Sequence, residues 1–156
     1  NNKVGVICTQ ATATSRAYDD ALAVAPHINL TTAVCPRFVE FVEAGITGGD
    51  ELLAVAEEYL APIKRAQADT LILGCTHYPL LSGVIGYVLG NGVTLVSSAE
   101  ACAQSTYAQL TQAGLLRHQP REATRTFLTT GDAHDFQGIG RRLLGGFVSN
   151  ATTIAL

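Results

Sequence analysis

The sequence predicts an α/β protein, a parallel sheet with helices on both faces, and three observations carry that prediction. Short β-branched runs alternate with longer stretches of helical periodicity, the form taken by repeated strand-helix units. One run, Thr70-Leu71-Ile72-Leu73, is apolar on both faces, as an interior strand of a helix-covered parallel sheet must be. With 156 residues, 47% of them hydrophobic and 15% charged, the chain is too apolar for disorder and can fill one globular interior.

Taken in order, the first strand is expected at Val4 to Ile7. Thr9 to Ser15 supplies turn and capping residues, and Arg16 to Ala25 reads as a helix closed by Pro26. A strand near Ile28 to Val34, a short helical piece from Arg37 to Glu43 and a glycine-bearing turn at Gly45 to Gly49 follow. Asp50 is expected to cap a helix whose apolar face is Leu52, Leu53, Val55, Ala56, Tyr59, Leu60 and Ile63. The strand from Thr70 stops at Gly74. Cys75 to Pro79 is then a loop, and Pro79 can open the next helix. Val93 to Val96 is a further strand, and Ser97 and Glu100 have capping-box spacing for a helix through Leu110. A last strand at Thr124 to Leu128 precedes a helix from about Asp132 to Leu144.

Composition excludes several classes. The net charge is −3, and the eight arginines and two lysines form no run, so a nucleic-acid footprint is absent. No apolar stretch is long enough for a bilayer, and the opening residues lack the layout of a secretion signal, so the expected setting is cytoplasmic. Cysteines at 8, 35, 75 and 102 make no C-x-x-C pair, which favours reduced thiols over disulfides or a zinc knuckle. The chain has no methionine and opens on Asn1-Asn2-Lys3-Val4, and it is expected to be a piece of a longer protein.

Ligands of open parallel sheets bind beyond the carboxyl ends of the strands. Four loops qualify, carrying Cys8, Thr9 and Thr12; Cys35, Pro36 and Arg37; Cys75, Thr76 and His77; and Ser97 with Ser98. Only Cys75 has an imidazole two residues away in a loop that can expose both groups. A thiolate there gains stability from backbone amides, a helix N-terminus or a neighbouring histidine. His77 can exchange protons with Cys75 or a substrate, and the Thr76 hydroxyl can hold a carboxylate. The bland alternative is a buried strand-end cysteine beside a satisfied turn histidine. Of the rest, Cys8 is expected to be structural rather than an acid or base, Cys35 to pack beneath the site and Cys102 to lie in a helical core. Arg37 is expected in solvent at a helix start, the alternative being a partner for a substrate carboxylate, and His27, His118 and His134 are expected on the surface.

Gly74-Cys75-Thr76-His77-Tyr78-Pro79-Leu80-Leu81 resembles the signature around the second catalytic cysteine of the glutamate racemases, within the aspartate/glutamate racemase superfamily. Thr9-Gln10-Ala11-Thr12 is similar to that family's T-x-A-T, Cys35-Pro36-Arg37-Phe38-Val39 with Glu43 to its C-P-x-F-V segment and later glutamate, and Thr130-Gly131-Asp132 to its T-G-D. The likeness fades after about Gly146. It implies interconversion of L- and D-glutamate, for peptidoglycan precursor supply, by a two-base mechanism without cofactor or metal. It further implies Cys75 as the base towards L-glutamate, assisted by His77 and oriented by Glu43, with Thr76, His77, Thr9 and Thr12 binding substrate. Glutamate and a homo-oligomer, a dimer, are the implied partners.

The family's first cysteine, in a C-N-T or C-N-S context, and its early D-S-G segment have no counterpart here. The chain is therefore expected to be a fragment of a two-domain enzyme, inactive alone. Residues 1–115 would form the α/β domain with the Cys75 half of the site, and 116–156 a strand and helix that pack on the other domain. Rival readings are a cysteine hydrolase, a zinc site using Cys75, His77, Cys35 or Cys8, an aspartate or hydantoin racemase, and a non-catalytic glutamate-binding or oligomerisation module.

Overall fold

A computed structural model describes residues 1–119 and 121–155. The chain folds as two compact units, Asn1–Leu110 and Thr111–Leu156. The first holds strands β1 (Lys3–Cys8), β2 (Asn29–Val34), β3 (Thr70–Gly74) and β4 (Thr94–Ser97), all parallel, in the order β2-β1-β3-β4. Helices α1 (Gln10–Ser15) and α2 (Ala17–Leu22) link β1 to β2, and α3 (Arg37–Glu43) and α4 (Asp50–Ala66) link β2 to β3. A 3-10 turn at Tyr78–Leu81 and helix α5 (Ser82–Leu89) lead to β4, and α6 (Ser98–Gln112) follows it.

Register explains the two covered faces. Side chains of register partners in a parallel sheet share a side, and alternate residues of a strand change sides. Gly5 and Ile7 therefore share a face with Leu71 and Leu73, and Val6 and Cys8 share the other with Ile72 and Gly74. Helix α4 lies on the first face. Its buried Leu52, Val55, Ala56, Leu60 and Ile63 recur at helical spacing, and a Cβ on Gly5 would meet the Ile63 side chain at 2.9 Å. Helix α5 packs on α4 on the same side. The second face carries α2: a Cβ on Gly74 would meet the Tyr18 ring and hydroxyl at 2.9 Å. Expected strand-helix alternation and a twice-covered parallel sheet are thus both present.

Local differences from the sequence reading have physical reasons. Gln10–Ser15 is helical rather than a turn, because Thr9 in extended conformation caps it, its side chain accepting the Thr12 N–H. Asp50 does not cap α4. Gly49, at φ 106°, takes that position, and Asp50 and Glu51 occupy the first turn, where carboxylates suit the positive end of the helix dipole. The α-helix after the Cys75 loop begins only at Ser82, since Pro79 opens a 3-10 turn instead. Helix α6 buries none of its residues among those described, and Cys102 on it is exposed rather than core. Ala, Ser, Thr and Gln dominate its length, so no continuous apolar stripe directs one side inward.

In the second unit, helix α7 (Ala133–Leu144) is capped by Asp132, whose Oδ1 accepts the Asp135 N–H at 2.9 Å. The expected strand at 124–128 is reduced to β5 (Leu128–Thr129). It pairs in parallel with β6 (Thr152–Thr153), which periodicity could not reveal in two residues. Val148, only 2% exposed, packs where a Cβ on Gly140 would stand at 2.9 Å. Among the described residues no helix is long and apolar enough to cross a membrane.

Candidate active site

The strand order reverses direction between β1 and β3. From β1 the chain passes through α2, on the second face, to β2, whereas from β3 it passes to α5, on the first face. Loops leaving adjacent strands on opposite sides open a crevice at their carboxyl ends, where ligands of such sheets bind. Cys8 and Thr9 stand at one lip and Cys75 to His77 at the other.

Cys75 is half-buried directly after β3. Its Sγ lies 3.8 Å from Nδ1 of His77, within the reach of a sulfur hydrogen bond, and Thr76 Oγ1 lies 3.4 Å from the same nitrogen. His77 Nε2 faces Oε1 of Glu43, at the end of α3, at 3.5 Å. A neutral imidazole has one donor and one acceptor nitrogen. With Nε2–H directed at the carboxylate, Nδ1 is left as an acceptor facing the thiol, so the three groups form a proton path from sulfur to imidazole backed by a carboxylate. The His77 side chain is 31% exposed and that of Glu43 52%, so the path opens to solvent and to a small substrate.

Tyr78 holds this loop in place, a role that the sequence reading did not assign. It is fully buried, its ring meets Phe38 edge-on at 5.5 Å between centroids, and its hydroxyl donates to the Cys35 carbonyl at 2.8 Å. Burial pushes its phenol well above the ordinary tyrosine range, keeping it a protonated donor. A large aromatic after Cys-Thr-His, with a polar tip needing a partner once buried, was the available signal. The Tyr78 N–H donates to the Cys75 carbonyl at 3.3 Å and the Leu80 N–H to that of His77 at 3.1 Å, which folds the loop back on itself.

Across the crevice, the Thr9 and Thr12 hydroxyl oxygens lie 3.1 Å apart, both half-buried. They bond to each other and to the helix start, and Thr76 is exposed. Cys35 is buried, and desolvation raises its thiol to about 12. Cys8 is fully buried, and its thiol is raised by desolvation, then by Asp19 and by Cys75. Neither is exposed to act on a substrate. Arg37 is engaged by its own neighbours: its guanidinium pairs with Glu51 and lies 5.0 Å over the Phe41 ring. His27, His118 and His134 are exposed as expected. Among the described residues, Asp132, His134 and Asp135 are the one group of metal-capable side chains with converging ligand atoms, all of them exposed. Cys75, His77, Cys35 and Cys8 do not converge in that way.

Fold and crevice together define a class: an α/β domain that brings a thiol, an imidazole and a carboxylate close together where strands of a parallel sheet end. Residues 1–106 match the Asp/Glu/Hydantoin racemase family, and the chain belongs to it. It is 57% identical to the glutamate racemase of Acidothermus cellulolyticus over 99% of this chain and 59% of that protein. Among solved structures it resembles the glutamate racemase of Bacillus anthracis, with 33% identity and a TM-score of 0.89 over 99% of this chain and 58% of that one. That of Francisella tularensis in complex with D-glutamate gives 29% identity and a TM-score of 0.89, over the same shares. The chain thus spans little more than half the length of the relatives it matches.

Proposed function

We propose that this chain supplies one half of the active site of a glutamate racemase, with Cys75 as the proton-transfer group towards L-glutamate. The observation that supports this most directly is the Cys75–His77–Glu43 path at the crevice lip. Inversion at a carbon needs a base on one face and an acid on the other, because a single monoprotic thiol returns its proton to the side it came from. In the forward direction the Cys75 thiolate takes the α-proton, and the electron pair left behind delocalises into the substrate carboxylate. A second acid, from a part of the protein that corresponds to the remaining length of its relatives, then protonates the opposite face. In reverse, Cys75 is the acid. His77 accepts the thiol proton at Nδ1 and readies the thiolate, and Glu43 holds the imidazole. Thr9, Thr12 and Thr76, with the His77 backbone, are proposed to bind the substrate's polar groups.

Glutamate is favoured over aspartate or a hydantoin because the His77-Tyr78-Pro79 sequence follows Cys75-Thr76 and because the relatives at this level of identity are glutamate racemases. Cytoplasmic residence, a homodimer and supply of D-glutamate to peptidoglycan belong to the same reading. The test is exchange of the α-proton of L-glutamate with solvent deuterium in the intact protein. Cys75→Ser is expected to lower that exchange by more than about 10²-fold, since a serine hydroxyl is a far weaker acid. An unchanged rate would remove Cys75 from the reaction. Release of acid from an ester by a covalent acyl intermediate would instead mark a cysteine hydrolase.

A further inference from the structure

One peptide group joins three parts of the site. The Cys35 N–H donates to the Cys8 carbonyl at 3.0 Å, which ties the end of β2 to the end of β1. The Cys35 carbonyl accepts twice, from the Phe38 N–H at 3.3 Å in the first turn of α3 and from the Tyr78 hydroxyl at 2.8 Å. We propose that Tyr78 is a positioning residue for the Glu43–His77 pair: its hydroxyl fixes the loop that carries His77 to the head of the helix that ends in Glu43, and so sets the imidazole that readies Cys75. The assignment rests on the proton path proposed above and extends it to a group outside that path.

Packing alone leaves the pair loosely set. Phe38, Phe41 and Val42 are the buried residues of α3, and the Phe38 ring meets Tyr59 and Tyr78 edge-on at 5.4 and 5.5 Å. Apolar burial is non-directional, so it holds a helix of two turns to its neighbours without fixing its tilt. Tilt matters at the far end. Arg37 to Glu43 is about 9 Å of helix at about 1.5 Å per residue, so a tilt of about 7° at the head carries Glu43 about 1 Å. His77 Nε2 and Glu43 Oε1 are 3.5 Å apart, and about 1 Å more breaks their contact. A hydrogen bond, by contrast, is directional. The buried phenol of Tyr78 stays protonated, and its partner carbonyl belongs to a peptide already tied to the sheet through Cys8.

A bracing role and a positioning role predict opposite signs for the reactivity of Cys75. Were the hydroxyl a brace for the fold alone, its loss would loosen the loop, expose the half-buried thiol and speed its alkylation. As a positioning group, its loss parts His77 from its carboxylate. Nδ1 then becomes a poorer acceptor for the thiol proton, and Cys75 alkylates more slowly.

The experiment is timed iodoacetamide labelling of the native 156-residue chain in a Cys102→Ser background, followed by trypsin and mass spectrometry. Tryptic residues 66–117 report Cys75, and 4–16 and 17–37 report the buried Cys8 and Cys35, which witness the fold. Tyr78→Phe keeps the ring and removes the hydroxyl. It is expected to slow the labelling of Cys75 by about 3–10-fold, with Cys8 and Cys35 still protected. Glu43→Gln should slow it by a similar factor, and the double variant no further than the slower single one, because both changes cut the same link. Three results would each overturn the proposal: an unchanged or faster rate in Tyr78→Phe, losses that multiply in the double variant, or Cys8 and Cys35 labelled as fast as Cys75. Labelling needs no turnover, so this outcome is separate from that of the racemase reading, which deuterium exchange tests.

Discussion

At the scale of single residues, the position of the Cys75 loop depends on residues outside it and on one buried ring within it. Tyr78 fixes the loop from below by a bond to the Cys35 carbonyl, and Glu43 orients His77 from the side. Cys75 is the thiol that the sequence marks for chemistry, and its Sγ lies 3.8 Å from Nδ1 of His77, whose Nε2 lies 3.5 Å from the Glu43 carboxylate. Tyr78 was missed because an anchoring bond joins residues 43 positions apart, which local pattern does not encode. The structural readings of Cys8 and Cys35 came with the family resemblance, and both are buried, but the pairing of Arg37 with Glu51 was not legible, since it required the docking of α3 beside α4. Glu43→Gln keeps size and removes charge, so α-proton exchange in the intact protein should fall by less than for Cys75→Ser, with KM for glutamate little changed. A loss equal to that of Cys75→Ser would make Glu43 a direct participant in proton transfer.

At the scale of elements, strands and long helices were legible because burial imposes a period. β3 is apolar throughout, and α4 repeats its apolar residues every three or four positions. What escaped was set by capping and by short range: α1, started by Thr9, and the two-residue pair β5 and β6. The end of β3 gives the sharpest test of packing. A methyl group at Gly74 would stand 2.8 Å from the Ile7 carbonyl oxygen and 2.9 Å from the Tyr18 ring, and the backbone oxygen cannot yield as a side-chain tip can. Gly74→Ala should therefore cost about 1–3 kcal/mol, the usual range for an overpacked interior. A lower urea midpoint at unchanged slope would check it, and Gly83→Ala, with nothing within 4 Å, serves as the control.

At the scale of the whole chain, the parallel α/β fold could be read from the alternation of elements, and the candidate thiol and imidazole from one loop. The exposed state of α6 could not be read, because helical periodicity is weak there and tertiary packing decides burial. Two predictions concern the chain as a unit. The first is a loss of stability in alkali. Cys35 is raised from 9.0 to about 12, so between those values the unfolded chain gives up a proton that the folded chain keeps. Stability is then full below pH 9.0 and falls as pH rises towards 12, by up to about 1.4 kcal/mol per unit. Cys8, Tyr18 and Tyr78 are shifted the same way and add to the fall. Urea midpoints at pH 7 and above 9 measure it, and Cys35→Ala should flatten the slope. The second concerns turnover. Besides Cys75, the thiols are the buried Cys8 and Cys35 and the exposed Cys102, none of which stands in the C-N-T or C-N-S context of the racemases' first cysteine. The 156-residue chain alone should leave L-glutamate optically unchanged, and polarimetry would detect the contrary.

The departure of the loops after β1 and β3 to opposite sides of the sheet has an evolutionary consequence. Residues 9–16 can lengthen, shorten or change character while the seat of the thiol, pinned through Tyr78 to the end of β2, stays where it is. The two walls of the crevice are therefore separately mutable, and a change of length or character in one leaves the backbone of the other in place.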